Sequence, residues 1–386
     1  MTSIYKTKIL QGHERPLKDI QFSPDGKYIF SASSDRTVIQ WDFKINKKVF
    51  TYNHQASVNV ICISKKNNYM FTGDSTGCFY IWDIITNQLQ KKIMFEAKYN
   101  IRSINLSSSE KYILITFAER IKKSSSFIGI YEIENILSKC ENSNSAPAPP
   151  LFKKINCEIL ETKFCKSHFT NNDKNILVSR EDGVLELFDF PEGKSIFSQK
   201  FHNDEILDFD VNDEYSIIIA NSKDGEMSLI NLNTFQLLKK FKPTNPVRNL
   251  NSCRIAVIDN PYYKVPGASK KLSVDALFDL NNLDLNSLNF VENEEDKEKA
   301  KKFGNKKKII LAITAGGQDS KFVTTTNQKE GGFEIIIYNA VSGEKMSEFL
   351  DHFGPINTLA VYKNTLASGA EDATVRVHQI EHYLFS

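Results

Sequence analysis

Histidine, serine and aspartate side chains recur in this sequence at spacings that could build a nucleophilic charge-relay site. The first set contains His13, the pair Ser31 and Ser33, and Asp35. These residue types supply the base, the nucleophile and the orienting carboxylate of a hydrolase. An enzyme needs a catalytic set only once. Here an aspartate precedes a bulky side chain by six residues at four places: Asp35 before Trp41, Asp182 before Phe188, Asp224 before Ile230 and Asp372 before His378. This repetition favours a structural role over catalysis.

The sequence contains neither of two short motifs typical of enzyme active sites. H-E-x-x-H and G-x-x-x-x-G-K-[ST] are both missing. The cysteines never approach the C-x-x-C spacing of a zinc or redox site, since they are scattered as Cys62, Cys78, Cys140, Cys157, Cys165 and Cys253. We therefore predict that the protein is not an enzyme and has no catalytic residue, cofactor or metal site.

The recurring residues belong to an internal repeat. Gly12-His13 begins a segment that ends at Trp41-Asp42, and His54 begins a second that ends at Trp82-Asp83. In both, 28 residues separate the histidine from the tryptophan, and 41 separate Asp42 from Asp83. Five weaker copies keep the frame and end at Tyr131-Glu132, Phe188-Asp189, Ile230-Asn231, Tyr338-Asn339 and His378-Gln379. A period of about 40–45 residues with Gly-His and Trp-Asp at its ends resembles the four-stranded blade of the WD-repeat family.

Seven such repeats predict an all-β fold, a single seven-bladed propeller spanning residues 1–386. Within each repeat the apolar runs are short and rich in β-branched and aromatic residues, as in YIFSAS and CFYIW. The last repeat ends with ATVRVHQI, while IYKTKIL before Gly12 has no repeat of its own. We expect this N-terminal strand to close the ring as the outer strand of the seventh blade, which removes an open sheet edge.

Two segments interrupt the period. Residues from about 138 to 154 are rich in Ser, Asn, Ala and Pro, which predicts a flexible loop. A longer insertion, at about 260–308 in the sixth repeat, carries an acidic block followed by a lysine-rich one, and we expect it to be disordered.

Composition narrows the class of partner. Lys and Arg total 49 against 47 for Asp and Glu, a formal net charge of +2, so direct binding to nucleic acid is not expected. The N-terminal residues lack the apolar run of a secretory signal, and no stretch of about 18 apolar residues could cross a membrane. We expect a cytoplasmic protein without membrane contacts.

The last two repeats are the most informative about function. They contain AGGQDSKFVTTTNQKEGGFEIIIYN, DHFGPINTLAV and ASGAEDATVRVHQIEHYLF, and the first repeat opens with ILQGHERPLKDIQFSPDG. These strings resemble the WD-repeat subunit i family of eukaryotic translation initiation factor three. Two features depart from the family, Asp351 in place of a usual glycine and the insertion at about 260–308.

The resemblance implies a non-catalytic scaffold in translation initiation. Its expected partners are the C-terminal helix of subunit b and a segment of subunit g, and through them the small ribosomal subunit during scanning. The family's subunit b helix crosses the fifth and sixth blades, and the matching positions here are Glu214, Leu229 and Asn231. We expect an exposed leucine beside a carboxylate at this site, although Asn231 replaces a usual acidic residue.

Resemblance to WD proteins also implies a buried hydrogen-bonded network in each blade, built from a histidine, a hydroxyl, an aspartate and the tryptophan. The first blade can build it from His13, Ser31 or Ser33, Asp35 and Trp41. A weaker network is expected in the second blade, where Thr76 replaces the aspartate. The remaining candidates are His54, Trp82, Asp182, His202, Asp224, His352 and Asp372.

Two alternatives remain open on the sequence. One is a different WD scaffold, such as the serine/threonine kinase receptor-associated protein. The other is a propeller enzyme with acid, base or metal groups converging in the central channel.

Overall fold

Seven four-stranded antiparallel sheets form the protein in a computed structural model. The structure describes residues 7–66, 68–120, 125–138, 148–157, 159, 162–243, 249–260, 308–318 and 332–385. The strands before and within the first three blades are β1 (Lys8–Gln11), β2 (Leu17–Phe22), β3 (Ile29–Ser33), β4 (Thr37–Asp42), β5 (Lys47–Asn53), β6 (Val58–Ile63), β7 (Tyr69–Asp74), β8 (Cys78–Asp83), β9 (Gln88–Met94), β10 (Tyr99–Leu106), β11 (Tyr112–Glu119), β12 (Ser126–Glu132) and β13 (Lys153–Asn156).

The other four blades follow the same order, from innermost to outermost strand. Their strands are β14 (Phe164–Thr170), β15 (Asn175–Arg180), β16 (Val184–Asp189), β17 (Ser195–Lys200), β18 (Ile206–Asn212), β19 (Ile217–Ser222), β20 (Met227–Asn231), β21 (Leu237–Phe241), β22 (Asn249–Asp259), β23 (Lys308–Gly317), β24 (Glu334–Asn339), β25 (Lys345–Leu350), β26 (Ile356–Tyr362), β27 (Thr365–Ala370) and β28 (Thr374–Gln379). The predicted seven-bladed all-β propeller is confirmed.

The N-terminal strand closes the ring, as the sequence predicts. Strand β1 pairs antiparallel with β28, from Lys8 opposite Val377 to Gln11 opposite Thr374. The seventh sheet therefore has the order β1-β28-β27-β26. Leu10 of β1 is buried with Val375 and Val377, so the closing strand contributes apolar packing as well as backbone hydrogen bonds.

Apolar packing between neighbouring blades holds the ring together. Seven clusters of buried side chains lie at the seven junctions between blades. The second strand of a blade has a neighbouring blade on each side, so all side chains of β3 and β19 are buried. The outermost strand faces solvent, and β17 has no buried side chain. Burial thus falls from the inner strands to the rim.

Lysines on three outer strands link each of their blades to the next one. In each case the Nζ atom donates hydrogen bonds to two carbonyl oxygens that follow the third strand of the next blade. We name this contact the lysine clasp, and its members are Lys8 with the oxygens of Phe43 (3.3 Å) and Lys44 (3.1 Å), Lys91 with those of Ile136 (2.9 Å) and Ser138 (3.0 Å), and Lys239 with those of Val341 (3.2 Å) and Ser342 (2.6 Å). The clasp fixes the spacing between blades at the rim.

The first interruption of the repeat is shorter than predicted. Lys153 and Lys154, assigned from sequence to the loop at about 138–154, belong to β13 and pair with Ile130 and Gly129. The third blade needs a fourth strand, and this lysine pair with the following Ile155 supplies it. Residues 139–147 of the predicted loop lie outside the described residues. The preceding residues form a short helix, α1 (Ile133–Leu137), which sequence analysis did not predict.

The long insertion joins the first two strands of the sixth blade. Asp259 is the last residue of β22, and Lys308 is the first residue of β23. The two residues pair in register, and their side chains form an ion pair with an N–O distance of 2.9 Å. Residues 261–307 lie outside the described residues. A second unpredicted helix, α2 (Ile380–Phe385), follows the last strand and buries Ile380 and Leu384. Among the described residues, no helix is long and apolar enough to cross a membrane.

Candidate functional site

The first blade brings the predicted histidine, serine, aspartate and tryptophan into one chain of hydrogen bonds. Trp41 Nε1 donates to Ser31 Oγ (2.8 Å), which lies 2.8 Å from His13 Nε2, and His13 Nδ1 donates to Asp35 Oδ2 (2.7 Å). The carboxylate therefore fixes the tautomer of the histidine. Of the two candidate serines, Ser33 lies outside this chain and donates to the carbonyl oxygen of Arg15 (2.8 Å).

Asp35 is held as a carboxylate by its surroundings. Burial favours its neutral form, but hydrogen bonds from His13 and Thr37 outweigh burial and lower its pKa well below the usual value. Ser31 is fully buried and accepts the tryptophan N–H, so no substrate can reach its hydroxyl. The arrangement has the residue types of a hydrolytic triad, but its serine is buried in the protein core. We therefore interpret it as a structural element.

The seventh blade repeats this geometry with one substitution. His352 Nδ1 donates to Asp372 Oδ2 (2.9 Å), and its Nε2 lies 2.7 Å from Ser368 Oγ. His378 stands at the tryptophan position, and its ring packs in a tilted arrangement against Phe349, with the ring centroids 4.8 Å apart. Burial, followed by the nearby charges of His352 and Arg376, lowers the pKa of His378 to about 3, so it is neutral at physiological pH.

In the second blade a different acceptor replaces the missing aspartate. His54 Nε2 lies 2.7 Å from Thr72 Oγ1, which also accepts from Trp82 Nε1 (3.3 Å), while His54 Nδ1 donates to the carbonyl oxygen of Tyr52 (3.2 Å). Burial lowers the pKa of His54 to about 4. Thr76 does not contact His54 but donates to Asp74 (2.7 Å). The repeat frame could have found Thr72, because it follows His54 by the same 18 residues that separate Ser31 from His13.

The fourth and fifth blades contain partial networks. Asp182 pairs with Arg180, which also donates to Glu186 (3.0 Å), so an arginine takes the place of a histidine. In the fifth blade His202 Nδ1 donates to Asp224 (3.0 Å), a contact that helps lower the pKa of that aspartate to about 2 against the opposing effect of burial. The buried His202 Nε2 has no hydrogen-bond partner among the described residues.

One group of side chains in the fifth blade has the residue types of a metal site. The ligand atoms of His202, Asp224 and Glu226 lie within 4.8 Å of one another. Glu226 is already paired with Lys240 (2.9 Å) and Lys242 (3.4 Å), and the His202 to Asp224 contact has the geometry of the blade network. The group is therefore explained by folding.

Charged side chains on the innermost strands compensate one another. Asp208 of β18 accepts from Lys166 of β14 (2.6 Å) and from Arg254 of β22 (2.6 Å). Burial raises the pKa of Asp19 on β2 to about 6, while its carboxylate accepts the backbone N–H groups of Ile20 and Ile61 (2.9 Å each). Asp208 forms ion pairs with Lys166 and Arg254, and Asp19 accepts backbone hydrogen bonds, so all four charged groups have partners within the ring. This arrangement suits the packing of inner strands better than it suits acid–base chemistry.

The three positions assigned to a partner helix do not form one exposed patch. Glu214 is exposed in the turn after β18. Leu229, expected to be exposed, is only 5% exposed and packs in the cluster between the fifth and sixth blades. Asn231 accepts the backbone N–H groups of Asn233 and Thr234 (2.9 Å each) and so stabilises the turn before β21. The expectation that Leu229 is exposed is therefore wrong, and Asn231 has a local structural role.

Exposed apolar side chains do occur nearby, on the outer part of the same two blades. Leu237 and Leu238 of β21 are exposed, as is Val341 in the turn after β24. The clasp lysine Lys239 joins the two elements. We name Leu237, Leu238, Val341 and Glu214 the fifth-blade surface. Sequence reasoning missed its leucines, which open the LLKKF strand, because it considered only positions matched to the family.

Comparisons with known proteins agree with this architecture. The profile of the WD domain, G-beta repeat, matches residues 4–42 and 46–83. The chain is 25% identical over 380 residues to "Eukaryotic translation initiation factor 3 subunit I" of Kluyveromyces lactis, covering 98% of this chain and 92% of that protein. The protein of the same name in Schizosaccharomyces pombe is 25% identical over 382 residues, covering 98% and 97%. This chain is therefore a seven-bladed β-propeller whose first two repeats match the WD domain and that resembles the subunit I proteins of eukaryotic translation initiation factor 3 along nearly its whole length.

Proposed function

We propose that the protein is a non-catalytic scaffold subunit of a eukaryotic translation initiation factor 3 complex, which holds subunits b and g and through them supports small-subunit recruitment and scanning in the cytoplasm. The observation that carries the proposal is the match to subunit I proteins over 98% of the chain. The buried blade networks are consistent with it, because they leave the propeller surface as the part available to other molecules.

The fifth-blade surface has the features expected of a docking site for the subunit b helix. An amphipathic helix binds by placing apolar side chains at i, i+3, i+4 and i+7 into a partner's apolar surface. Leu237, Leu238 and Val341 are exposed apolar side chains on the outer parts of two neighbouring blades. Glu214 adds an exposed carboxylate beside it, since its turn is joined to the turn before β21 by the hydrogen bond from Leu232 N to Ser216 O (2.8 Å).

The lysine clasp gives this surface a fixed shape before binding. Lys239 follows the exposed Leu238 on β21, a strand that ends at the buried Phe241. Its Nζ donates a hydrogen bond to the carbonyl oxygen of Val341. Binding to a preformed surface avoids the entropic cost of ordering it. Lys239 thus fixes the position of the turn that carries Val341 relative to β21.

Titration of the full chain with a peptide of the subunit b C-terminal helix from the same organism tests this assignment. Replacing Leu237 or Leu238 by Ala should each cost on the order of 1–2 kcal/mol of binding if it is an anchor. Glu214→Lys should weaken binding in a salt-dependent way. Ile196→Ala removes a comparably exposed side chain from the outer strand of the fourth blade and should have no effect.

Two results would separate the parts of the proposal. No binding at about 100 μM peptide would refute the subunit b assignment and leave the propeller unaffected. Affinity purification of the full chain that recovers kinase-associated or splicing proteins without initiation-factor subunits would refute the role in translation initiation.

A further inference from the structure

Phe353 is the most exposed large apolar side chain among the described residues. It is 83% exposed and follows His352 in the connection between the sixth and seventh blades. The residues that follow the network histidines of the first, second and fifth blades are Glu14, Gln55 and Asn203. The fold therefore accepts a polar side chain at this position, and packing does not explain the phenylalanine.

The backbone that carries Phe353 is held by the blade network. Its N–H donates to Asp372 Oδ2 (3.1 Å), the carboxylate that also accepts from His352. The guanidinium of the buried Arg376 lies 5.4 Å from the ring centroid, a cation–π distance. The ring is thus presented to solvent on a rigid base. Aromatic side chains in such settings dominate the energetics of protein interfaces.

Two carboxylate side chains, Glu371 and Asp351, belong to the segments next to Phe353. A Cβ added to the neighbouring Gly354 would lie 3.2 Å from Glu371 Cβ, which places Glu371 beside this segment. Asp351 precedes the network histidine, and its carboxylate accepts from Thr7 Oγ1 (2.9 Å). His378 lies 3.4 Å from Asp351 but is neutral at physiological pH and leaves the charge in place. The exposed Leu350 adds a second apolar side chain.

We infer that Phe353, with Asp351 and Glu371, forms a docking site for a basic segment of a partner protein, one in which an aliphatic or aromatic side chain is flanked by lysine or arginine. The partner's apolar side chain packs on the exposed face of the ring, and its cations face the two carboxylates. This site lies at the opposite end of the strands from the turns that carry Val341 and Ile85, so it is distinct from the fifth-blade surface. The inference does not depend on the assembly to which the propeller belongs.

Photo-crosslinking in the native cell tests the occupant. The full chain carries p-benzoylphenylalanine in place of Phe353, and a matched chain carries it in place of Ile85, which is 73% exposed at the other end of the strands. The expected product joins residue 353, and not residue 85, to a peptide with an apolar side chain and at least two lysines or arginines nearby. A cross-link to an acidic segment, to nucleic acid or to a second copy of this chain, or no cross-link at residue 353, would overturn the inference.

Affinity measurements with the cross-linked segment, made as a synthetic peptide, test the roles of the residues. Phe353→Ala should weaken binding about tenfold or more without changing the melting temperature, because the ring is outside the core. Glu371→Gln removes the charge yet keeps an acceptor for Asn357 Nδ2 (2.7 Å), and should weaken binding several-fold at low salt and less at high salt. Ile85→Ala is the control. Binding by Phe353→Ala within twofold of the parent chain would refute the site.

Discussion

The incomplete network of the fifth blade predicts that Ala220→Ser stabilises the protein. Ala220 follows His202 by 18 residues, as Ser31 follows His13 and Thr72 follows His54. In the first two blades the hydroxyl at this position lies 2.8 or 2.7 Å from the histidine Nε2. The fifth blade lacks the hydroxyl, and His202 Nε2 is left without a partner among the described residues. A serine at 220 would supply the missing donor.

The magnitude follows from the cost of the unpaired nitrogen. A typical buried hydrogen bond contributes about 1 kcal/mol net, and an unsatisfied buried polar atom costs about 1–3 kcal/mol. We therefore expect Ala220→Ser to raise the free energy of unfolding by about 1 kcal/mol, visible as a higher urea midpoint in equilibrium denaturation. Ser228 lies opposite Ala220 in register, and its Oγ has no hydrogen-bond partner in the described part of the chain, so the measurement is repeated in a Ser228→Ala background.

The control for this prediction is Ala220→Val, which adds volume without a hydroxyl. Ala220 is fully buried, so valine should be neutral or destabilising through overpacking. Nitrogen chemical shifts of the imidazole should show hydrogen bonding at Nε2 of His202 only in the serine variant. An unchanged or lower urea midpoint for Ala220→Ser in both backgrounds would refute the reasoning that one network geometry is repeated across the blades.

Four further predictions concern the core, the charge network and the chain segments. Leu229→Ala should lower the free energy of unfolding by about 2–5 kcal/mol, because it empties part of the core between two blades; a variant that melts like the parent but loses partner binding would restore the interface assignment. The pKa of Asp224 is about 2 in the folded protein and near 3.9 in an unfolded chain, so its stabilising contribution is complete above about pH 5 and is lost as the pH falls towards 2. Asp224→Asn should accordingly flatten the fall in urea midpoint between pH 5 and 2.5, and an equal slope in both proteins would contradict this. Deleting Met1–Leu10 should destabilise the whole ring, since the seventh blade loses its outer strand; an unchanged thermal unfolding curve would argue against closure by β1. Replacing residues 261–307 by a short Gly/Ser linker should leave the fold intact, because β22 and β23 are paired up to the ends of the insertion and loop closure depends weakly on length; loss of the folded circular dichroism spectrum would contradict it.

The fold could be predicted from the sequence because the repeat has landmarks at fixed distances. The interval from His13 to Trp41 recurs from His54 to Trp82, and it locates the fifth blade although Ile230 replaces the tryptophan. Closure by the N-terminal strand followed from counting strands. The same frame also contained Thr72, which only the structure identified as the hydroxyl partner of His54.

The partner site could not be placed in the same way. The alternation of exposed and buried side chains applies to a sheet with one solvated face, but a propeller blade is covered on both faces by its neighbours. Leu229 lies on such a strand, in which four of the five side chains are buried. Alternation with its neighbour Ile230 therefore does not predict whether Leu229 is exposed. Exposure is concentrated on the outer strands, where Leu237 and Leu238 lie. Those strands carry the weakest repeat signal.

Closure of the ring by β1 has a consequence for how the protein is made. The partner of β1 is β28, so a strand synthesised at residues 8–11 waits until residue 374 and beyond before it can pair. At roughly 5–20 residues per second, this delay is on the order of 20–70 seconds. Throughout that time the nascent chain carries the apolar Leu10 and an unpaired strand edge, which the finished seventh blade buries. Chaperones that act during translation therefore have a defined segment to protect. That segment is β1, which can pair only after β28 has been synthesised.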